Sequence, residues 1–339
     1  MELGHIVVIV ALIALAGRWL CKKRLPPLAD AGVLETVRAL TTSHAPWFIL
    51  ELARSRPAGS RVFRLRLPIM EHLVVIADPE LRRTIESSHH MDKPDMMQDL
   101  AGIACGVPSM FTMKSSDPRM VHARKGVARA FSGTYIRRAL LRGQEQLDSM
   151  LDHLAESGES FDPATLMTGH ALAMLGQSML GGFDFGPLAS ATSGAREDCV
   201  QPPLGQEYME NLHKILPEYA SRQPNDPLRK YMLRLLPRAL GARLFPLAAE
   251  ADRAARRNMQ ISQQVLDAFR LQREQATPDE RVTLDETILG HLEANQAYDS
   301  DEMRAADVNA FILAGHDTTG FTIAWLLCEL ARYPERAHV

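Results

Sequence analysis

From Asp301 to Tyr333 the chain runs for 33 residues without a proline, which at roughly 1.5 Å per residue predicts a helix of about 50 Å. Few folds accommodate so long an element, and both its ends are marked. Asp299 and Ser300 supply N-cap oxygens, Asp301 and Glu302 put negative charge in the first turn, and Pro334 stands where the helix should stop. Val308, Phe311, Ile312, Leu313, Phe321, Ile323, Trp325, Leu326, Leu327 and Leu330 are apolar on more than one face, as expected of a helix crossing a domain interior. Its middle reads Ala314-Gly315-His316-Asp317-Thr318-Thr319, so this polar cluster is expected to be buried.

Burying an Asp costs free energy unless it is paired, and a mid-helix Thr turns its hydroxyl onto the carbonyl of the preceding turn. Gly315 removes a side chain one turn before Thr318, which predicts a notch where a flat ligand can approach the backbone. An acid beside a hydroxyl at such a notch can relay protons from solvent. For this string alone, a glycine-softened core helix with a satisfied Asp is an equally good reading.

Other segments carry further signals. Leu3 to Leu20 is an apolar run followed by Lys22, Lys23 and Arg24, which predicts a retained membrane anchor over residues 1–24 with its C-terminal side in the cytosol; an interfacial segment is the alternative. Pro26-Pro27 forms a stiff hinge. Arg61 to Leu67 alternates as a half-buried strand and Leu73 to Ala77 is a second apolar run, so the two predict a hairpin. Asp78-Pro79-Glu80 then starts a helix as N-cap, N1 proline and first-turn acid. Asp117 to Lys125 leads into Ala130-Phe131-Ser132 and carries Arg119, Arg124, Lys125 and Arg129; taken alone, these form a solvated basic face. Ala248 to Gln275 predicts a long helix and Thr283 to Ala294 a shorter one. The breaks lie at Gly181-Gly182, Gly186-Pro187, Ser190 to Pro203 and Pro224 to Pro227.

In the order in which they occur, these features resemble the cytochrome P-450 family of haem-thiolate monooxygenases, in its membrane-anchored eukaryotic form. The central helix matches the family's [AG]-G-x-[DE]-T-[TS], and the Arg124 segment matches W-x-x-x-R followed by A-F-S. The resemblance runs from about Lys23 to Val339. It implies a mainly α fold with a small β region, the N-terminal two thirds of the P-450 fold standing behind an N-terminal membrane anchor, with the incomplete domain over residues 25–339. It also implies that Ala314 and Gly315 face a haem, that Asp317 and Thr318 form the proton relay, and that Arg124 binds a haem propionate through its planar fork. Met120 occupies the tryptophan position and has no N–H to offer. His316 fills the variable position, as a spacer rather than a metal ligand. The implied partners are the endoplasmic reticulum membrane, with the body facing the cytosol, an NADPH-dependent reductase, and a hydrophobic small-molecule substrate, an intermediate of specialised (secondary) metabolism.

Composition is consistent with a folded body. With 46% hydrophobic and 23% charged residues the chain is not of the disordered class, and a net charge of −3 with no recognised binding pattern gives no nucleic-acid surface. Four dispersed cysteines do not make a disulfide framework. No HExxH, Walker A or CxxC motif occurs, and His89-His90 reads as part of a polar loop.

A thiolate on the iron drives O–O cleavage in this family, and its cysteine lies in F-x-x-G-x-R-x-C-x-G, beyond an E-x-x-R motif. Only 20 residues follow Thr319. Neither motif is present, and Cys21, Cys105, Cys199 and Cys328 lack the loop context, so no axial metal ligand is assigned. The expectation is therefore a monooxygenase truncated after its central helix and catalytically inactive as it stands, with haem binding open. A non-catalytic membrane-anchored binding or decoy protein is the alternative, and an unrelated membrane-anchored helical protein a third.

Overall fold

The computed structural model describes residues 31–40, 45–56, 61–65, 73–88, 91–93, 106–158, 160–186, 203–222, 236 and 238–336. The expected anchor, the Pro26-Pro27 hinge, the turn over 68–72, His89-His90 and the breaks over 190–202 and 224–227 lie outside them. The chain divides into two units, one made of residues 1–91 and 221–231, the other of 92–220 and 232–339.

In the first unit, α1 (Val33–Leu40) and α2 (Ala45–Arg54) precede a two-stranded antiparallel sheet of β1 (Val62–Leu65) and β2 (Leu73–Ile76), with Val62 opposite Ile76 and Leu65 opposite Leu73. The predicted hairpin is present, with strands shorter than the apolar runs. Helix α3 (Pro79–Ser88) starts where Asp78 predicts it: the Asp78 Oδ1 accepts from the amides of Glu80 and Leu81 at 3.0 and 2.9 Å, satisfying two of the free N–H groups of the first turn.

The second unit is helical among its described residues. It comprises α4 (Pro118–Val127), a 3-10 turn (Ala128–Phe131), α5 (Gly133–Ser157), α6 (Pro163–Met179), α7 (Leu204–Arg222), α8 (Arg238–Leu244), α9 (Pro246–Gln275), α10 (Pro278–Asp285), α11 (Ile288–Ala294), α12 (Asp301–Arg332) and a closing 3-10 turn (Pro334–Arg336). Where one helix was expected over 283–294 there are two. Thr287 divides them, its hydroxyl accepting from the Gly290 amide at 3.1 Å and donating to the Leu284 carbonyl at 2.6 Å. A capping box between Thr277 and Glu280 starts α10 earlier than expected.

The core is built by stripes at helical spacing. On α9, Ile261, Val265, Leu266 and Phe269 are buried together with Leu172 and Leu175 of α6, Ile288, Leu289 and Leu292 of α11, and Val308 and Ile312 of α12. Helix α12 begins at the predicted cap, Ser300, whose hydroxyl accepts from the Met303 amide at 3.3 Å. Its main packing partner is α6, then α9. The approach to α6 is close because Gly320 lies on it: a Cβ built there would stand 2.4 Å from the Thr168 Cα.

The expectation of apolar burial along the whole of α12 requires correction. From Ala305 to Ile312 the helix is enclosed, but Phe321, Trp325 and Leu326 are exposed, Trp325 to 69%. The C-terminal half of α12 rests on its neighbours by one side and presents the other outward.

Candidate functional site on the central helix

The structure separates the members of Ala314 to Thr319. Ala314 and Thr318, one turn apart, share the exposed face, and the Thr318 hydroxyl donates to the Ala314 carbonyl at 2.7 Å. Thr322 repeats the arrangement one turn on, donating to the Thr318 carbonyl at 2.7 Å. Asp317 is half-buried, its side chain 29% exposed. The fully buried polar residue is His316, which the sequence offered only as a spacer.

Gly315 does not open on the same side as Ala314. A Cβ built on it would stand 3.2 Å from the methyl groups of Leu175 on α6, so the space beside this glycine is filled by protein. The notch expected from the sequence therefore serves helix packing in the structure, and the exposed surface at this level of α12 belongs to Ala314 and Thr318.

One turn earlier, Phe311 gathers two aromatic rings from other segments. The Phe111 ring meets it edge-on at 5.3 Å between centroids, and the Phe131 ring lies at 6.1 Å. Phe111 and Phe131 are both partly exposed, at 41% and 46%, so these two rings form an apolar surface over the buried Phe311. Ser132, the last residue of the A-F-S string, acts structurally, its hydroxyl accepting from the Tyr135 amide to cap α5.

On α4, Met120 is buried in the core and Arg124 is exposed. Asp117 caps the helix and also takes the Arg119 side chain, at 2.8 Å, while Arg124 and Lys125 are exposed cations in the last turn. Lys93 stands within the field of Arg124. Burial first and the Arg124 charge second hold the Lys93 ammonium below its ordinary range, while Asp307 of α12 opposes them. The Lys93 ammonium donates to the Met110 carbonyl at 2.7 Å. Two cations close enough for one to act on the other suit an anionic ligand with two carboxylates, as a haem presents through its propionates. In their chemistry, these cations and the open Ala314 and Thr318 face fit that group.

Sequence reasoning missed the acid beneath this site. Asp307 is buried on α12, where its Oδ1 accepts from the Met110 amide at 2.6 Å and its Oδ2 from the Tyr298 hydroxyl at 2.5 Å. Burial pushes its carboxyl up to about 6, against the pull of those two donors and of Lys93. Burial, then the charge and hydrogen bond of Asp307, also raise the Tyr298 phenol. The available signal was an Asp inside the apolar stretch of the long helix, where only a paired acid is stable. Among the described residues no group of three or more His, Cys, Asp or Glu forms a metal site, and Cys328 is an exposed free thiol on α12.

Comparison with known proteins identifies the family and the fold. The family model of cytochrome P450 matches residues 59–338. A cytochrome P450 BJ-4 homologue of Sinorhizobium fredii (strain NBRC 101917 / NGR234) is 51% identical over 35 residues, 10% of this chain and 8% of that protein. Among solved structures, the haem domain of a cytochrome P450DA mutant superposes with a TM-score of 0.61 at 18% identity, covering 92% of this chain and 61% of its own. The cytochrome P450 CYP102L1 superposes with a TM-score of 0.60 at 16% identity, covering 91% and 62%. The chain thus spans about three fifths of the length of these solved relatives, which share its fold. With a family model matched over most of its length and a helical body of the same architecture, the chain belongs to the cytochrome P450 family.

Proposed function

We propose that this chain supplies the oxygen-side wall of a haem monooxygenase that oxidises a hydrophobic small molecule. The observation that carries the reading is the pairing of Ala314 and Thr318 on the exposed face of α12, with Asp317 beside them. Bound haem would supply the reductive activation of dioxygen. Arg124 and Lys93 would hold its propionates, and Ala314, with no side chain beyond Cβ, would let a flat ring approach the helix. Thr318 is placed to move a proton. Its hydroxyl donates to the Ala314 carbonyl, which leaves the Oγ1 lone pairs free to accept; a proton would pass when that hydrogen bond breaks and the O–H turns outward, Oγ1 taking a new proton as it releases its own. Asp317, half in and half out of solvent, would return the proton to that hydroxyl. Phe111, Phe131 and Phe311 would give the substrate an apolar contact. A membrane setting at the endoplasmic reticulum, an NADPH-dependent reductase and a substrate from specialised metabolism complete the reading.

A second reading is a binding module without oxygen chemistry, in which Cys328 is no iron ligand. It lies ten residues past Thr318 on the same helix, about 15 Å along the axis, and so cannot reach a metal held over Ala314.

The test is an absorbance titration of the full chain with haem, followed by reduction under carbon monoxide. Saturable binding is expected, weakened about tenfold or more in Arg124→Ala, since hydrogen bonds to charged groups contribute ~1.5–3 kcal/mol. Equal affinity in Arg124→Ala would remove the propionate assignment. A Soret band of the thiolate-ligated type would overturn the second reading.

A further inference from the structure

We propose that Asp307 is a positioning residue that fastens the turn over 109–113 to α12, so that the Phe111 ring stands over Phe311 as a contact for an apolar ligand. The ligand rests on the reading above, whereas the fastening stands on its own geometry. Within this turn Ser109, Met110, Thr112 and Met113 are buried and Phe111 alone is exposed. The turn closes on itself: the amides of Thr112 and Met113 donate to the Ser109 carbonyl at 2.9 and 2.8 Å, and the Ser109 amide donates to the Thr112 hydroxyl at 2.9 Å. Those bonds fix its shape and leave the backbone groups of Met110 to be met from elsewhere.

Both groups are met by ionisable side chains. The Asp307 Oδ1 accepts from the Met110 amide at 2.6 Å, and the Lys93 ammonium donates to the Met110 carbonyl at 2.7 Å. The second Asp307 oxygen accepts from the Tyr298 hydroxyl at 2.5 Å. A carboxylate suits this place because it accepts through both oxygens, and an apolar residue would leave two buried donors unpaired. Phe311 lies four residues after Asp307, on the same face of α12, and meets the Phe111 ring edge-on at 5.3 Å. Consecutive residues of the turn therefore reach α12 at two points one helical turn apart, Met110 by its amide and Phe111 by its ring. A hydrogen bond to a charged group is stronger than an edge-on ring pair, so the Asp307 bond sets where the neighbouring ring lies.

The test uses the full chain labelled with 4-fluorophenylalanine, the Phe111 fluorine signal being assigned by its loss in Phe111→Leu. Asp307→Leu combined with Tyr298→Phe undoes the fastening, and removing the hydroxyl together with its acceptor leaves no side-chain donor unpaired. In this double variant the Phe111 signal should move to the frequency of the denatured chain, with the signals of the buried Phe185 and Phe269 in place. Tyr298→Phe alone should leave the Phe111 signal where it is, as should Asp307→Asn, which keeps an oxygen for the Met110 amide. A Phe111 signal unmoved in the folded double variant would overturn the proposal. If that variant does not fold, Met110→Pro removes the same bond from the other side, at the second position of a turn, where proline is favoured, and the same two outcomes decide. Naphthalene added to the wild type should shift the Phe111 signal saturably. No shift would defeat the ligand reading and leave the placement of the ring standing.

Discussion

Asp307 and His316 are both buried on α12, and burial acts on them with opposite sign. The imidazole is driven to its neutral form, and the carboxyl is raised to about 6 from an ordinary 3.8. The folded state therefore binds the Asp307 proton more tightly than the unfolded state does. That contribution to stability is complete below the unfolded value and is lost as pH rises through about 6. At 1.36 kcal/mol per pH unit it amounts to at most about 3 kcal/mol. Asp307→Asn keeps an oxygen for the Met110 amide and carries no charge. Urea unfolding across pH 4 to 7 should show the wild type losing about 2 kcal/mol more stability than the variant, and parallel curves would show that Asp307 does not titrate in this range.

Helix α12 is held against α6 at a point where two backbones nearly touch. Gly320→Ala would gain up to about 1 kcal/mol of helix propensity. The new Cβ, however, would fall 2.4 Å from the Thr168 Cα and 2.6 Å from its amide nitrogen, and backbone atoms inside a packed helix pair cannot step aside as a side-chain tip can. Overpacking of this kind costs about 1–3 kcal/mol, so the net effect expected is destabilisation, read as a lower urea midpoint with an unchanged slope. A stabilised variant would mean that the two helices sit further apart. The contact also explains what was legible in the sequence at this scale. The proline-free run, its Ser300 cap and its stop at Pro334 defined the element, because those signals are local. Which way Gly315 and Gly320 point depends on where α6 packs, and the run itself does not record that.

Across the chain, the same division separates what the sequence disclosed from what it did not. The hairpin, the Asp78 cap and the long helices follow from spacing and capping, and the family is legible in the central helix and in the Arg124 segment. The Met110, Tyr298 and Asp307 contact was not legible, because it joins residues up to 197 positions apart. Nor was the buried state of His316, which depends on Tyr208 of α7. The outward turn of Phe321, Trp325 and Leu326 was likewise hidden, since an apolar residue looks the same in sequence whether or not a neighbour covers it. The central claim is that Ala314 and Thr318 form the face that meets the haem. The most direct measurement is methyl NMR of the full chain, labelled at alanine and threonine, during addition of ferric haem. The account expects paramagnetic broadening of the Ala314 and Thr318 methyl signals first, with the buried Ala305 and Ala306 signals retained; broadening that spares Ala314 and Thr318 while haem is bound would contradict it.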